Sequence, residues 1–552
     1  MSQKYFAVSL LALFVCLYLI PLSTRPLLEP DEPRYAEVPR EMIATGDWVV
    51  PRINGLRYFE KPVMGYWLTA VSLKIFGEND FAVRFPSAMA TGITALLIFL
   101  VSSACYGRKT PLPWLAVLIY LTSLGVAAIG TVAVLDPPLT LFLAAALVAF
   151  FLATEEGPHS NSERVLLFVA GIFAGCAFMT KGFLAFVIPV LVIGPFLLQQ
   201  GRWRDTLRML WLPLAGAILV SLPWALLIHQ REPDFWHYFF WNEHVRRFLS
   251  HSAQHVEPFW FFVAVLPPMF FPWVLMLPAS MAGLWKTKWV SGPQKRLLVF
   301  CLCWFLFPFL FFSASSGKLI TYILPCFPPL AILIAMGLMN ITENIKAKFV
   351  QHGIITLATL TTVVAFALTI SQLVGPEKLH LYDQSWKLAL IDGVLVAMSI
   401  ALVYSIRYKP YKQIIIYAFS FSLLIISSHF LIPSKTLYKK APDHVITRNR
   451  VNISNTTSVL VGEVNIRSAC WYLKRDNVYI VENAGELQYG ISYDDSKHRM
   501  LTPIETGEFV RNNKGNTVII ATKKEYSRWQ SFLPIPIMLD SSSKEGFLVA
   551  YY

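Results

Sequence analysis

Long apolar runs, broken at intervals by short polar joints, occupy the first 432 residues. Thirteen of them read as membrane spans, at about 5–22, 83–103, 112–130, 138–153, 165–179, 183–198, 209–229, 258–284, 297–313, 320–339, 353–374, 387–406 and 413–432. A hydrocarbon core of roughly 30 Å needs about 20 apolar residues of helix per crossing. Several runs are short for that, and the joints at 131–137 and 180–182 are tight, as is tolerated where irregular backbone lines a cavity in protein. The first run, YFAVSLLALFVCLYLIPL, follows Lys4 and has no small-x-small cleavage site, so it reads as an uncleaved helix rather than a signal peptide. Beyond 432 the pattern changes. TSVLVGEV, NVYIVEN, NTVIIATKK and GFLVAYY are short β-prone stretches bounded by polar turns. The chain therefore divides into a membrane domain, 1–432, and a small α/β domain, 433–552.

One polar stretch is long. The loop 23–82 opens with LLEPDEPRYAEVPRE, which carries Glu29, Asp31, Glu32, Glu37 and Glu41 directly after the first apolar run. AEVPREMIATGDW sets Ala36, Met42, Ile43 and Trp48 among charges and predicts a short amphipathic helix along the membrane interface. A second helix is expected from about Pro62, with Tyr66, Trp67 and Leu68 as interfacial anchors. Glu37 and Glu41 lie one turn apart and read as solvated helix charges.

Composition supports the membrane reading: 55% of the residues are hydrophobic and 15% are charged, against about 25% charged in soluble domains. The net charge of +13 comes without a Lys/Arg block or interleaved aromatics, which disfavours nucleic acid as a partner and leaves membrane orientation and anionic lipid. With a cytoplasmic N-terminus, the short cytoplasmic loops hold fifteen Lys and Arg and the opposite short loops six. That bias places the loop 23–82, the loop 230–257 and the tail outside. Six of the seven cysteines lie in or beside apolar runs, and Cys470 alone lies in the tail, so no disulfide framework is implied. Walker A, GxGxxG, HExxH and GxSxG motifs are all absent, which disfavours nucleotide-driven transport.

Ionisable residues gather at the outward helix ends. Glu60 and Lys61 stand in RYFEKP, Asp136 in VAVLDPPL, Lys181 in FMTKGFL, and Lys318 and Tyr322 in SSGKLITYILP. Each has a plain alternative: helix capping for Asp136, snorkelling for Lys181 and Lys318. Their common face favours a site, because ionisable residues near membrane depth usually line one. Lys and Arg around carboxylates suit an anionic, lipid-linked substrate, with Tyr58 and Tyr322 as neutral donors. The loop 230–257 adds His237, His244, His251, His255 and Glu243, where only His251 and His255 have an i,i+4 spacing. A metal cluster is the weaker reading there. Arg246 and Arg247 suit phosphate.

In this order, LLEPDEPRYAEVPREM, GDWVVPRINGLRYFEKPVMGYWL, WNEHVRRF and SSGKLITYILP resemble the lipid A 4-amino-4-deoxy-L-arabinose transferases across most of the membrane region. The resemblance implies a GT-C glycosyltransferase: a polytopic α-helical protein of about 13 transmembrane helices, with periplasmic amphipathic helices and a C-terminal α/β domain. It implies undecaprenyl phosphate-linked aminoarabinose as donor, a lipid A phosphate as acceptor, location in a bacterial inner membrane, and resistance to polymyxin and cationic peptides. The family's functional positions fall on Asp31, Arg34, Tyr58, Glu60, Lys61, Asp136, Arg247 and Tyr322. Lys181, His244 and Lys318 are added from the local reading. Asp31, Glu60 and Asp136 are then the catalytic carboxylates. Arg34, Tyr58, Lys61, Lys181, Arg247, Lys318 and Tyr322 take the phosphates. The acids at the membrane mouth would face a cationic sugar. No cofactor is required, and a divalent metal stays open. The rival readings are another polyprenyl-phosphate-sugar transferase on the same scaffold, acting on a protein or a different glycan, or a lipid flippase; the EPDE and FEKP context argues against a protein mannosyltransferase, and a flippase predicts paired half-repeats broken at midplane.

Overall fold

The computed structural model describes residues 3–246, 256–286, 292–344, 348–376, 380–541 and 546–552. The chain splits into two compact units. One comprises Met1–Thr24, Phe85–Leu226 and Trp236–Leu431; the other comprises Arg25–Arg84, Leu227–Phe235 and Ile432–Tyr552. The first loop, read from sequence as 23–82 of the membrane domain, thus falls almost wholly in the unit that holds the tail.

The first unit is helical. Ten helices among the described residues are long and apolar enough to cross a membrane, or twelve if each of two bent pairs counts as one crossing. The segment expected at 183–198 is the helix Leu184–Gln199, whose 16 residues fall short of the roughly 20 needed to span. The expected spans 112–130 and 258–284 are the two bent pairs. Pro111–Leu121 and Leu124–Gly130 meet at 62°, and Phe261–Met269 and Trp273–Trp285 at 95°.

A bend leaves backbone groups without helical partners, and hydrocarbon offers none. Here the two breaks satisfy each other. Leu124 N–H donates to Phe271 O at 2.9 Å, and Trp273 Nε1 donates to Thr122 Oγ1 at 3.0 Å. Tyr417 and Tyr18 donate their hydroxyls to Pro272 O and Leu121 O, each at 2.7 Å. Gly125 makes this approach feasible, since a Cβ there would sit 2.9 Å from Met269.

The second unit joins the first loop to a six-stranded sheet. The helix predicted around 36–48 runs from Asp31 to Thr45 and stops at Gly46, whose φ of 72° suits a residue without Cβ. Strands β1 (Arg52–Ile53) and β2 (Leu56–Arg57) form a hairpin over Asn54-Gly55, both at positive φ. This is the Asn-Gly turn that hairpins favour. The helix Met64–Phe76 follows. In the tail, β3 (Ser458–Val461), β4 (Tyr479–Val481), β6 (Thr517–Thr522) and β8 (Phe547–Tyr551) lie within the four predicted stretches. Two short strands, β5 (Met500–Leu501) and β7 (Met538–Asp540), escaped the pattern. The order is β5-β4-β3-β6-β8-β7, with β5, β4, β3 and β6 parallel and β8 antiparallel to both neighbours. Leu460, Ile519, Ala521, Trp529 and Leu548 belong to its core. The helices Pro503–Asn512 and Lys523–Trp529 each begin with a capping box, Thr502/Glu505 and Thr522/Glu525.

Candidate active site

Four of the five acids in the opening stretch are committed to internal partners, which corrects the expectation that the group faces a sugar. Glu32 is buried and binds two guanidiniums, Arg25 Nη1 at 2.5 Å and Arg84 Nε at 2.6 Å. Burial alone would raise its carboxyl, but Arg84 and Arg25 hold it down at about 2. Glu29 accepts from the N–H and hydroxyl of Ser468. Glu37 and Glu41 are buried rather than solvated. Glu37 pairs with Arg40 at 2.6 Å. Glu41 accepts the Asn54 and Gly55 N–H groups and so shapes the hairpin turn. Burial pushes both carboxyls up from the ordinary range. Both belong to the helix face that packs inward, and charge content alone gives no signal of that.

Asp31 is the exception. Its side chain is 52% exposed and accepts from Arg34 Nη1 at 3.2 Å. Arg34 is buried on the same helix and reaches Glu486 through Nη2 at 2.7 Å. The buried Tyr58 hydroxyl lies 2.9 Å from Glu60 and 3.3 Å from Glu486. Lys61, half-buried, donates to the Glu60 carbonyl at 2.8 Å. Five sequence-selected residues, Asp31, Arg34, Tyr58, Glu60 and Lys61, thus form one neighbourhood of the second unit. Sequence reasoning missed Glu486 and its second partner Arg467, bound at 2.6 Å. Burial raises the Glu486 carboxyl, but Arg34 and Arg467 outweigh it and keep the group below its ordinary value.

The first unit brings three more selected residues together. Asp136 is the first residue of the helix Asp136–Glu155, and Lys181 the last of Asn161–Lys181. Lys181 Nζ donates to Asp136 Oδ1 at 2.7 Å and stands 4.6 Å from the centroid of the Tyr322 ring. Asp136 therefore forms an ion pair, not a helix cap, since the cap position is Leu135 and no side chain caps there. Lys181 has a carboxylate partner, which snorkelling does not require. Lys318 has different partners. Buried, it donates to the carbonyls of Glu257, at 2.7 Å, and Ser315. It ties the chain ends flanking the Val256–Gly317 bridge. Desolvation pulls its pKa down. Arg247, His251 and His255 lie outside the described residues. His237 is exposed at the start of the π-helical turn His237–Arg246, which includes His244. No group of three or more His, Cys, Asp or Glu among the described residues is placed to hold a metal ion.

The family model for dolichyl-phosphate-mannose-protein mannosyltransferases matches residues 4–239, and that for the C-terminal domain of arabinosyl transferase ArnT matches residues 437–550. The undecaprenyl phosphate-alpha-4-amino-4-deoxy-L-arabinose arabinosyl transferase of Shewanella sediminis is 38% identical over 100% of this chain and 98% of its own length. This chain belongs to that arabinosyl transferase family. A second member, from Proteus mirabilis, is 37% identical over 95% of the chain and 94% of its own length. The crystal structure of ArnT from Cupriavidus metallidurans bound to undecaprenyl phosphate superposes with a TM-score of 0.81 at 20% identity, covering 100% of this chain and 98% of that one. The family fold therefore extends along the whole chain, as a multi-pass membrane protein with a sheet-bearing C-terminal part.

Proposed function

We propose that this protein transfers 4-amino-4-deoxy-L-arabinose from undecaprenyl phosphate to a phosphate group of lipid A, on the outer leaflet of a bacterial inner membrane. The full-length match to arabinosyl transferases carries this reading. The Lys/Arg bias between loops supports a cytoplasmic N-terminus, with residues 25–84 and the tail in the periplasm. The product carries an added cation on lipid A, which weakens its attraction for polymyxin and cationic peptides.

The substrates set the chemistry. The nucleophile is a phosphate oxygen, largely anionic at neutral pH because its second pKa is near about 6. The leaving group is also a phosphate. Little proton transfer is needed at either end. The protein must hold anions, exclude disorder and steady positive charge at the sugar carbon, which favours preorganised electrostatics. Arg34, Lys61, Tyr58 and Arg247 are assigned to phosphate oxygens. Asp31, the exposed acid of its stretch, is assigned to the oxocarbenium-like carbon or the sugar ammonium, as is Glu60. Asp136, Lys181 and Tyr322 are assigned to the same reaction. Lys318 is the weakest phosphate ligand of the set, because carbonyls already engage its ammonium. Catalysis by these groups needs no cofactor, and a divalent ion adjoining the acidic loop remains compatible with them.

The test is transfer by the purified full-length protein in detergent, with donor and lipid A in one compartment. A mass gain of one aminopentose on lipid A is expected, and a flippase would give none. Lipid A of unchanged mass overturns the reading. Asp31→Asn and Lys61→Ala are each expected to lower turnover by about 100-fold or more, with melting temperature unchanged.

A further inference from the structure

Glu486 and Arg467 stand outside every motif singled out in the sequence, yet Arg34 and Tyr58 are both tied to Glu486, and Glu486 in turn to Arg467. Glu486 lies in the short 3-10 turn Gly485–Leu487. That turn is tightly fixed: Gly485 has φ +54°, and a Cβ there would strike the Glu463 carboxylate at 2.2 Å. Arg467 projects from the helix Ile466–Leu473 and is itself buried. The next residue, Ser468, anchors Glu29, so this helix is pinned to the first loop two residues before Asp31.

A carboxylate beside a phosphate-binding cation is a cost in simple Coulomb terms, because it repels the ligand. Arg467 offsets that cost by pairing with the same carboxylate at 2.6 Å. What the arrangement gains is orientation. The Arg34 guanidinium is held at both Nη atoms, by Asp31 and by Glu486, while its buried Nε has no hydrogen-bond partner among the described residues. Tyr66, whose ring stacks on Tyr35 at 6.1 Å, likewise has a buried hydroxyl with no partner among the described residues. Arg34 lies 5.8 Å from the centroid of that Tyr35 ring. Buried polar atoms are rarely left unsatisfied without reason. A planar guanidinium fixed in orientation by two carboxylates suits recognition of a tetrahedral oxyanion through its remaining N–H groups.

We propose that Glu486 and Arg467 are positioning residues for donor binding: Glu486 fixes Arg34 and Tyr58 for the polyprenyl phosphate, and Arg467 fixes Glu486. The tail sequence thereby takes part in recognising the donor's phosphate. This inference rests on the donor assigned above.

The test uses the full-length protein in detergent and reads three quantities: direct binding of undecaprenyl phosphate, and the donor KM and kcat of transfer. Glu486→Gln and Arg467→Gln are each expected to weaken undecaprenyl phosphate binding and raise donor KM by about 10-fold, with a smaller change in kcat. The double variant is expected to be no worse than either single one, because the two act as a unit. Glu486→Asp, which keeps the charge, and Arg467→Lys are expected to fall in between, and they report even if a glutamine variant fails to fold. Wild-type donor KM and binding in these variants overturn the inference, as does a fall in melting temperature and kcat with donor KM unchanged. A wild-type protein that neither binds undecaprenyl phosphate nor transfers sugar instead overturns the functional reading itself.

Discussion

Glu32 shows how much of this protein's charge is spent on folding. Its carboxylate is shared by Arg25 and Arg84, and all three side chains are buried. Removing the negative partner strands two buried guanidiniums. Glu32→Gln is therefore expected to cost about 3–5 kcal/mol, read as a fall in melting temperature. The same group carries a pH dependence. Its folded pKa of about 2 lies below the ordinary 4.5. The stability it contributes is present in full above about 4.5 and is lost as pH falls from there toward about 2. Glu32→Gln is expected to flatten that acid limb in a melting-temperature series, and an unchanged limb would assign it to other carboxylates. Residue types in the sequence announced the charges but not their partners. Arg84 lies 52 positions from Glu32, and no local pattern links them. Asp31, Arg34, Tyr58, Glu60 and Lys61 were legible because they cluster along the chain as well as in space.

At the scale of elements, hydrophobic period located nearly every membrane helix, because an apolar run of span length has few other fates; it did not locate the tail helices, such as Ile466–Leu473 and Pro503–Asn512. It did not locate the bends, because the joints after Leu121 and Met269 are only a few residues long and interrupt the apolar runs too briefly. What fixes the bends is distant: Tyr417 closes on Pro272 from 145 residues away. Tyr417→Phe is expected to leave that buried carbonyl unpaired and cost about 1–3 kcal/mol, measured as lost thermal stability in detergent. The Asn54-Gly55 turn makes the converse point. Its dipeptide is a hairpin signal in plain view, hidden within a loop read for its helices. Asn54 also mimics a strand, its amide exchanging two 2.8 Å hydrogen bonds with the Val478 backbone. Gly55 sits at φ +69°, with the Asp476 carbonyl 3.1 Å from where a Cβ would be. Gly55→Ala is expected to destabilise by about 1 kcal/mol or more, and limited proteolysis of residues 46–62 would register it.

Over the whole molecule, four of the six tail strands were visible in sequence, yet the grouping of residues 25–84 with them was not. That grouping rests on long-range contacts, among them Glu29 with Ser468, Asn54 with Val478 and Arg57 with Asp495, each more than 400 positions apart. Residues 433–552 expressed alone are therefore expected to be more protease-sensitive than the same residues in the full chain, since the polar groups these contacts satisfy would lose their partners. Equal protection in both would mean that the tail folds independently of the first loop.

The ion pair of Asp136 with Lys181 has a consequence for how the protein is made. The two residues begin and end a helical hairpin and are 45 positions apart in the chain. During synthesis the acid emerges first, and its neutralising ammonium arrives only when the second leg is complete. Biogenesis is thus favoured when the insertion machinery releases the two legs into lipid together, as a single charge-balanced package.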